Sequence, residues 1–521
     1  MDQGSEPGKR RKISRRTFVR STLGAAALAG CSTFRSARPG TESGHSLPPN
    51  LLFVFSDQQS YDMLGCYGNE QIITPNIDSL ADQGVRFLHC ISSQPLCTPY
   101  RGMLMSGQHP LYCGTMSNDI QMIPENGVSF AEALRNAGYR TAYIGKWHLH
   151  GGDRNRPIPV GPLRYGFDDL FLSNNCQLDY RPGHCFYWNE AGEKVFFDEW
   201  EVYGQTKQAL AFLDTCTADH PFALFVSWHP PHDMGFREGD FYYDTEPDLM
   251  ALYDRSSLRL RPNVEDTPQV RRKYHGHMAM CSGVDRALGR LIAKLNEKDL
   301  SENTIVVFTS DHGDLLESHG RPWAKSFPED ESCRVPLIIR YPHRLKAGIT
   351  TDLLTGTLDL MPTILGLMGI PVPNTCQGRD LSWALRERRE NEVDSVPLFN
   401  FFAGWRGVYT RQYTFAFDQL DGNTKHDRRV LYDRKKDPFQ LENLYHDRTH
   451  RSLHRELHRL TIEWMDRFED PCIDRNDLLR LCGFESAQLT KKGETGILPG
   501  RPIDLIREAK EFKTFSHVGE I

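Results

Sequence analysis

The chain has 521 residues and a net charge of only -6, with 25% of its residues charged and 39% hydrophobic. No basic run outside the N-terminus is long enough to follow a phosphate backbone, which argues against nucleic acid as the main partner. No apolar stretch reaches the roughly 18 residues of a spanning helix, and the length allows about two to four domains around a large core.

Residues 1–31 read as a targeting segment. Lys9-Arg10-Arg11-Lys12 is a basic start, Ser14-Arg15-Arg16-Thr17-Phe18 carries the paired arginines of a twin-arginine export signal, and 21–30 is a short run of small apolar residues. The run ends in Leu28-Ala29-Gly30-Cys31, which looks like a lipobox. In that reading Cys31 becomes the acylated first residue of a lipoprotein and anchors it to the membrane. The alternative is a signal cut by an ordinary peptidase, leaving a soluble periplasmic protein. Both readings place the protein in the periplasm or at the cell surface. Residues 32–48, rich in Ser, Pro, Gly and Arg, read as a flexible tether.

From residue 49 short apolar runs alternate with helical patterns. The segments 51–55, 141–144, 222–226, 304–308 and 335–339 are expected as buried strands, and 76–83, 129–137, 206–214 and 276–297 as helices. The alternation predicts an α/β fold over 49–375, with a large, mostly parallel sheet flanked by helices. Beyond about residue 371 the pattern changes. Residues 405–410, 412–417 and 430–433 read as short antiparallel strands and 453–468 as a helix packed on them, a smaller C-terminal α+β domain over 376–480. Residues 481–521 read as a polar tail.

Polar residues follow the expected strands. Asp57 and Gln58 come after the first, Lys146 and His148 after the second, His229 and His232 after the third, Asp311 and His312 after the fourth. Ligands of open α/β sheets sit beyond the carboxyl ends of the strands, so four such ends predict one site. Asp57, Gln58, Asp311 and His312 offer two carboxylates, an amide oxygen and an imidazole. Hard oxygens suit Ca²⁺ or Mg²⁺, and the imidazole also admits Mn²⁺. A lone Asp after a strand is more often a helix cap; two Asp-polar pairs far apart in sequence reverse that preference.

Between those pairs stands Cys97-Thr98-Pro99-Tyr100-Arg101, followed by Leu104-Met105-Ser106-Gly107 and His109-Pro110. Cys-x-Pro-x-Arg alone would arise by chance in a chain this long roughly a few times in a hundred. Downstream lie Gly145-Lys146-Trp147-His148, Pro230-Pro231-His232, Trp323-Ala324-Lys325 and Asp433-Arg434-Lys435-Lys436-Asp437-Pro438-Phe439. In this order the segments resemble type I, formylglycine-dependent sulfatases of the alkaline phosphatase superfamily, over about residues 49–445.

The resemblance implies a sulfuric ester hydrolase in which a maturation enzyme oxidises Cys97 to formylglycine. One hydroxyl of the aldehyde hydrate attacks sulfur and the other later expels sulfate. By the same resemblance Arg101 orients the nucleophile, Lys146 and Lys325 bind sulfate oxygens, His148 acts in aldehyde regeneration and His232 protonates the leaving alcohol. Asp57, Gln58, Asp311 and His312 then hold one divalent cation, usually calcium. Three positions depart from the family pattern: Tyr100 stands where Ser is usual, Gln58 where many members have a second Asp, and His312 where many have Asn. The last two lower the negative charge of the site and leave Ca²⁺, Mn²⁺ and Mg²⁺ open. Export and family habit make a sulfated carbohydrate the expected substrate.

The remaining signals are weaker. Tyr180, Arg181, Trp188 and Trp228 are candidates for a sugar-binding mouth, with core packing equally open for the tryptophans. His319 reads as a brace near the metal, His229 as either a support or a substrate contact, and His150 carries little. The 13 cysteines assign no disulfides, and Cys66, Cys90 and Cys281 read as buried hydrophobes. Two other functions stay open: a phosphodiesterase or phosphonate monoester hydrolase of the same superfamily, and an inactive glycan-binding lipoprotein.

Overall fold

The computed structural model describes residues 47–521 except 124–126, 238, 322, 419–426, 485–495, 513 and 515–521. The expected twin-arginine segment, Cys31 and the tether up to residue 46 lie outside the described residues.

Strand β1 (Asn50–Asp57) shows why the sheet is buried on both sides. All eight of its residues are buried, and successive ones point to opposite faces. Leu51, Phe53 and Phe55 join one core layer, Leu52 and Val54 the other. A continuous apolar run of this kind marks a parallel strand with helices on both faces. Four further strands share the pattern of parallel pairing: β2 (Arg140–Gly145), β3 (Leu170–Ser173), β4 (Phe222–Pro231) and β5 (Thr304–Ser310), in the order β5-β1-β4-β2-β3. Antiparallel β6 (Leu337–Arg340) follows β5, then Val85–Phe87 and Ile349–Thr351. A hairpin of Phe186–Trp188 and Lys194–Phe196 closes the other edge, making ten strands.

Helix α1 (Cys97–Ser106) lies on one face with Phe130–Asn136 and α4 (Thr357–Met368), and α2 (Glu201–Asp214) and α3 (Pro268–Glu297) cover the other. Every residue of α1 is buried. Tyr100, Leu104 and Met105 face the sheet layer, and Met103 faces a separate cluster.

Ser395–Asn400 (β7), Trp405–Thr410 (β8), Tyr413–Asp418 (β9) and Val430–Asp433 (β10) form a small antiparallel sheet in chain order. The long helix α5 (Arg451–Arg467) packs Leu457 and Met465 against Val408, Phe415 and Leu431 on one side of it. Trp405, Tyr409, Val396 and Leu398 on the other side join the core of the large sheet.

The architecture is the one expected, a large mixed sheet between helices and a small antiparallel sheet after it. Three details differ from the sequence reading. Strand β7 was not expected because Pro397 interrupts it; it is an edge strand, where a missing N–H is tolerated. The 335–339 run is split at Pro336 into Arg334–Val335 and β6. Within the expected tail, Pro502–Glu508 is a helix whose Ile503 and Ile506 are buried in one cluster with Met103 and Leu111. Among the described residues no helix is long and apolar enough to cross a membrane.

Candidate active site

The strand ends converge as their spacing predicts. Asp57 closes β1, Asp311 follows β5 directly, and the two strands pair in register through Ser56 and Ser310, so the carboxylates arrive side by side. Gly145 ends β2 at φ 112°, where an added Cβ would lie 2.1 Å from the Ser227 carbonyl oxygen. Only glycine allows that approach, which turns Lys146 toward the same place. Helix α1 begins at Cys97, two residues before Pro99, with no side-chain cap.

Cys97 Sγ is the hub. It lies 3.3 Å from His312 Nε2 and 3.8 Å from Asp57 Oδ1, and Lys325 Nζ donates to it at 3.2 Å. Lys325 Nζ also lies 2.9 Å from His232 Nε2 and 3.3 Å from His312 Nε2. Arg101 donates from Nη2 to Asp57 Oδ2 at 2.9 Å and Asp311 Oδ2 at 3.0 Å, and from Nη1 to the Lys146 carbonyl and Ser227 Oγ, both at 2.7 Å. Lys146 Nζ donates to Asp57 Oδ2 at 2.5 Å. His148 Nε2 is 2.9 Å from Asp119 Oδ1, and Arg154 grips Asp119 with two bonds of 2.6 and 2.8 Å. All ten site residues expected from sequence therefore lie in one network, nine of them buried and Lys325 partly so, with Gln58 at its edge.

Gln58 donates its amide group to Asp233 Oδ2 at 3.1 Å and Asp314 Oδ2 at 2.9 Å. Two carboxylate acceptors fix the amide orientation and leave Oε1 buried with no partner. A buried carbonyl oxygen without a donor is costly, and a hard cation satisfies it. Asp57, Asp311, His312 and Cys97 place one ligand atom each within 4.8 Å of one another. His312 Nδ1 is 2.9 Å from the Gly313 carbonyl, which puts the proton there and leaves the Nε2 lone pair for the cluster. The donor set fits a divalent cation.

Electrostatics explain how so much charge stays buried. Burial and Cys97 oppose ionisation of Asp57, yet Lys146, His232 and Arg101 hold its carboxyl well below the usual carboxylate range. Burial and the Asp57 charge push its neighbour Asp311 up. Burial opposes the Cys97 thiolate, but Lys146, Lys325 and His312 outweigh it and lower the thiol pKa far below its ordinary value. The surroundings thus favour negative charge at this position. Burial opposes a charged His148 ring, while Cys176 and Asp119 push its pKa up to about 10.

The structure adds residues that sequence reasoning missed. Asp119, Arg154, Ser227, Asp233 and Asp314 orient the groups above, and none carried a local signal. Cys176, a second buried thiol, sits near His148, Lys146 and Arg154. His229 is a support: it lies 2.9 Å from Glu201 and against the Tyr180 ring, with no exposure. His319 braces the loop after Asp314 through Glu331 and Asn263. Tyr180 and Arg181 line a cavity of about 280 Å³ with Trp200 and Met234. Tyr180 Oη donates to the Asp233 carbonyl, which also accepts from His232 Nδ1, so this cavity adjoins the site. Trp228 is not at the mouth; it is wholly buried in the core, and Trp188 belongs to the edge hairpin.

Comparison with known proteins agrees with this geometry. A sulfatase family model matches residues 49–370, and a model of the N-sulphoglucosamine sulphohydrolase C-terminal region matches 319–466. An ulvan-active sulfatase of Formosa agariphila is 32% identical over 422 residues, covering 78% of this chain and 79% of that one. An endo-4-O-sulfatase of Bacteroides thetaiotaomicron is 27% identical, covering 81% and 93%. A Bacteroides fragilis crystal structure assigned as a sulfatase superposes with a TM-score of 0.74 at 28% identity, covering 83% and 99%. The chain is an enzyme and belongs to the formylglycine-dependent sulfatase family of the alkaline phosphatase superfamily.

Proposed function

We propose that the enzyme releases inorganic sulfate from sulfated glycans outside the cytoplasm, using Cys97 converted to formylglycine and one divalent cation, calcium first, held by Asp57, Gln58, Asp311 and His312. The observation that carries this reading is the position of Cys97. Its side chain stands at the first turn of α1, where free N–H groups favour an anion. Lys325 and His312 lie within 3.3 Å of it.

The formylglycine hydrate supplies two hydroxyls on one carbon, one to attack sulfur and one to expel sulfate. A bound cation supplies positive charge at the sulfate oxygens. The chain's own groups do the rest. Lys146 and Lys325 add fixed positive charge where the transferring group gains negative charge. Arg101, tied to both carboxylates and to two strand ends, holds the first turn of α1 in place. His232 keeps its Nδ1 proton on the Asp233 carbonyl and presents Nε2 beside Lys325, where it can hand a proton to the leaving alcohol. His148, held by Asp119 and Arg154, has Cys97 among its close neighbours and is the group assigned to aldehyde regeneration, its raised pKa keeping the ring charged beside the oxygen that sulfate leaves.

The named relatives act on ulvan and on 4-O-sulfated substrates, which supports a glycan as the leaving group. The cavity beside Tyr180 and Arg181 offers aromatic and polar walls for a sugar. The N-terminal segment supports export by the twin-arginine route and an acylated Cys31. The test is sulfate release by the matured protein from sulfated oligosaccharides, set against turnover of an aryl phosphodiester. Preference for the phosphodiester by more than tenfold would overturn the reading.

A further inference from the structure

Four distances among the ligand atoms around Cys97 are close to the edges of a metal-sized tetrahedron, all four atoms lie within 4.8 Å of one another, and one of them is sulfur. Sγ is 3.3 Å from His312 Nε2 and 3.8 Å from Asp57 Oδ1, and the same nitrogen is 3.6 Å from Asp57 Oδ1 and 3.5 Å from Asp311 Oδ1. Zinc bonds of about 2.3 Å to sulfur and about 2.0–2.2 Å to nitrogen or oxygen give tetrahedron edges of about 3.4–3.6 Å. Calcium instead takes six to eight oxygens at about 2.3–2.6 Å. The remaining oxygens are already assigned: Arg101 and Lys146 hold Oδ2 of Asp57, and Arg101 holds Oδ2 of Asp311. Both Oδ1 atoms stay on the side of His312. Thiolate sulfur selects soft and borderline metals over hard ones.

We propose that the chain, before Cys97 is converted, binds one thiophilic divalent cation, zinc foremost, through Cys97 Sγ, His312 Nε2, Asp57 Oδ1 and Asp311 Oδ1. As the metal–sulfur and metal–nitrogen bonds form, Lys325 Nζ gives up its contacts with Cys97 Sγ and His312 Nε2, any remaining thiol proton leaves to solvent, and no oxidant is involved. Conversion of Cys97 then removes the sulfur ligand and hands the place to a hard cation, a consequence that rests on the formylglycine reading. The modification thereby doubles as a switch of metal preference.

The test uses the full-length chain made without a maturation enzyme and titrated with Co²⁺, then Zn²⁺. One equivalent of cobalt should give the visible bands of a tetrahedral centre and a thiolate charge-transfer band in the near ultraviolet, both displaced by one equivalent of zinc. Cys97→Ser should lose the charge-transfer band and bind zinc at least about tenfold more weakly. Cys176→Ser removes the neighbouring thiol and should keep both bands, which separates ligation from misfolding. Absence of a thiolate band in the wild-type chain would overturn the proposal, as would a band that survives Cys97→Ser or disappears in Cys176→Ser. Sulfate release by the matured enzyme is measured separately, so failure of the sulfatase reading leaves the cobalt result standing.

Discussion

Under the small sheet, Arg406 and Asp470 are each about 3% exposed and form a two-bonded ion pair, with Arg406 also stacked over Phe401. At the carboxyl ends of the parallel strands, the buried Arg101 and Lys146 and the partly exposed Lys325 gather around Cys97 with two carboxylates, Asp57 and Asp311. Lys325 has no carboxylate partner among the described residues and rests on Cys97, His232 and His312. Buried charge with a matched partner is architecture. Buried charge in surplus works against folding and persists where chemistry needs it. The two regions therefore differ in what a mutation should take away.

The largest effect belongs to the hub. Cys97→Ala should lower sulfate release by about 10⁴-fold or more, since the nucleophile is gone, while the thermal midpoint barely moves because Tyr100, Leu104 and Met105 still pack α1. Lys325→Ala should lower kcat about 10²–10³-fold and leave stability nearly unchanged, as the ammonium is partly exposed and bonds no carboxylate. Arg406→Ala should do the reverse. It strands Asp470 without its partner and costs about 3–5 kcal/mol of stability, with kcat per folded molecule unchanged. Denaturant melts alongside steady-state kinetics decide it, and a Lys325→Ala variant that lost stability but kept kcat would break the comparison.

The smallest effect concerns the brace between the two regions. Burial opposes ionisation of Glu331, but its bond and charge interaction with His319 pull its pKa from 4.5 down to about 2. Burial opposes a charged His319, and Glu331 pushes its pKa above 6.5. The depressed Glu331 pKa stabilises the fold above pH 4.5 and loses that effect as pH falls toward 2. The raised His319 pKa stabilises it below pH 6.5 and loses that effect as pH climbs through the folded value. Wild type should thus exceed His319→Gln most between pH 4.5 and 6.5, by about 1–2 °C in thermal midpoint, with the gap shrinking above that window. A gap that widens toward alkaline pH would show that His319 acts uncharged.

Legibility in the sequence followed the same divide. Parallel strands buried on both faces write themselves as unbroken apolar runs, so β1, β2, β4 and β5 and the polar residues at their ends could be read directly. Strand β7 hid behind Pro397, and β3 and the edge hairpin, with strands of three or four residues, were too short to stand out. The helix 502–508 was lost because its two apolar anchors, Ile503 and Ile506, stand in a polar stretch and join a cluster that draws on Met103 and Leu111 as well as on Leu478 and Leu479. The residues gathered around Cys97 were named from strand ends and from family resemblance. Those that orient them, Asp119, Arg154, Asp233 and Asp314, lie in loops whose contacts exist only in three dimensions. For Trp228 the sequence left substrate mouth and core equally open, because an aromatic next to a site histidine on an all-buried strand points either way; it packs in the core.

The central claim is that Cys97 is converted, with Tyr100 in place of the usual Ser beside Pro99. Mass spectrometry of the tryptic peptide 87–101, from protein coexpressed with a formylglycine maturation enzyme, addresses it directly. The account predicts an aldehyde in place of the Cys97 thiol. A peptide that keeps the free thiol under those conditions would contradict it.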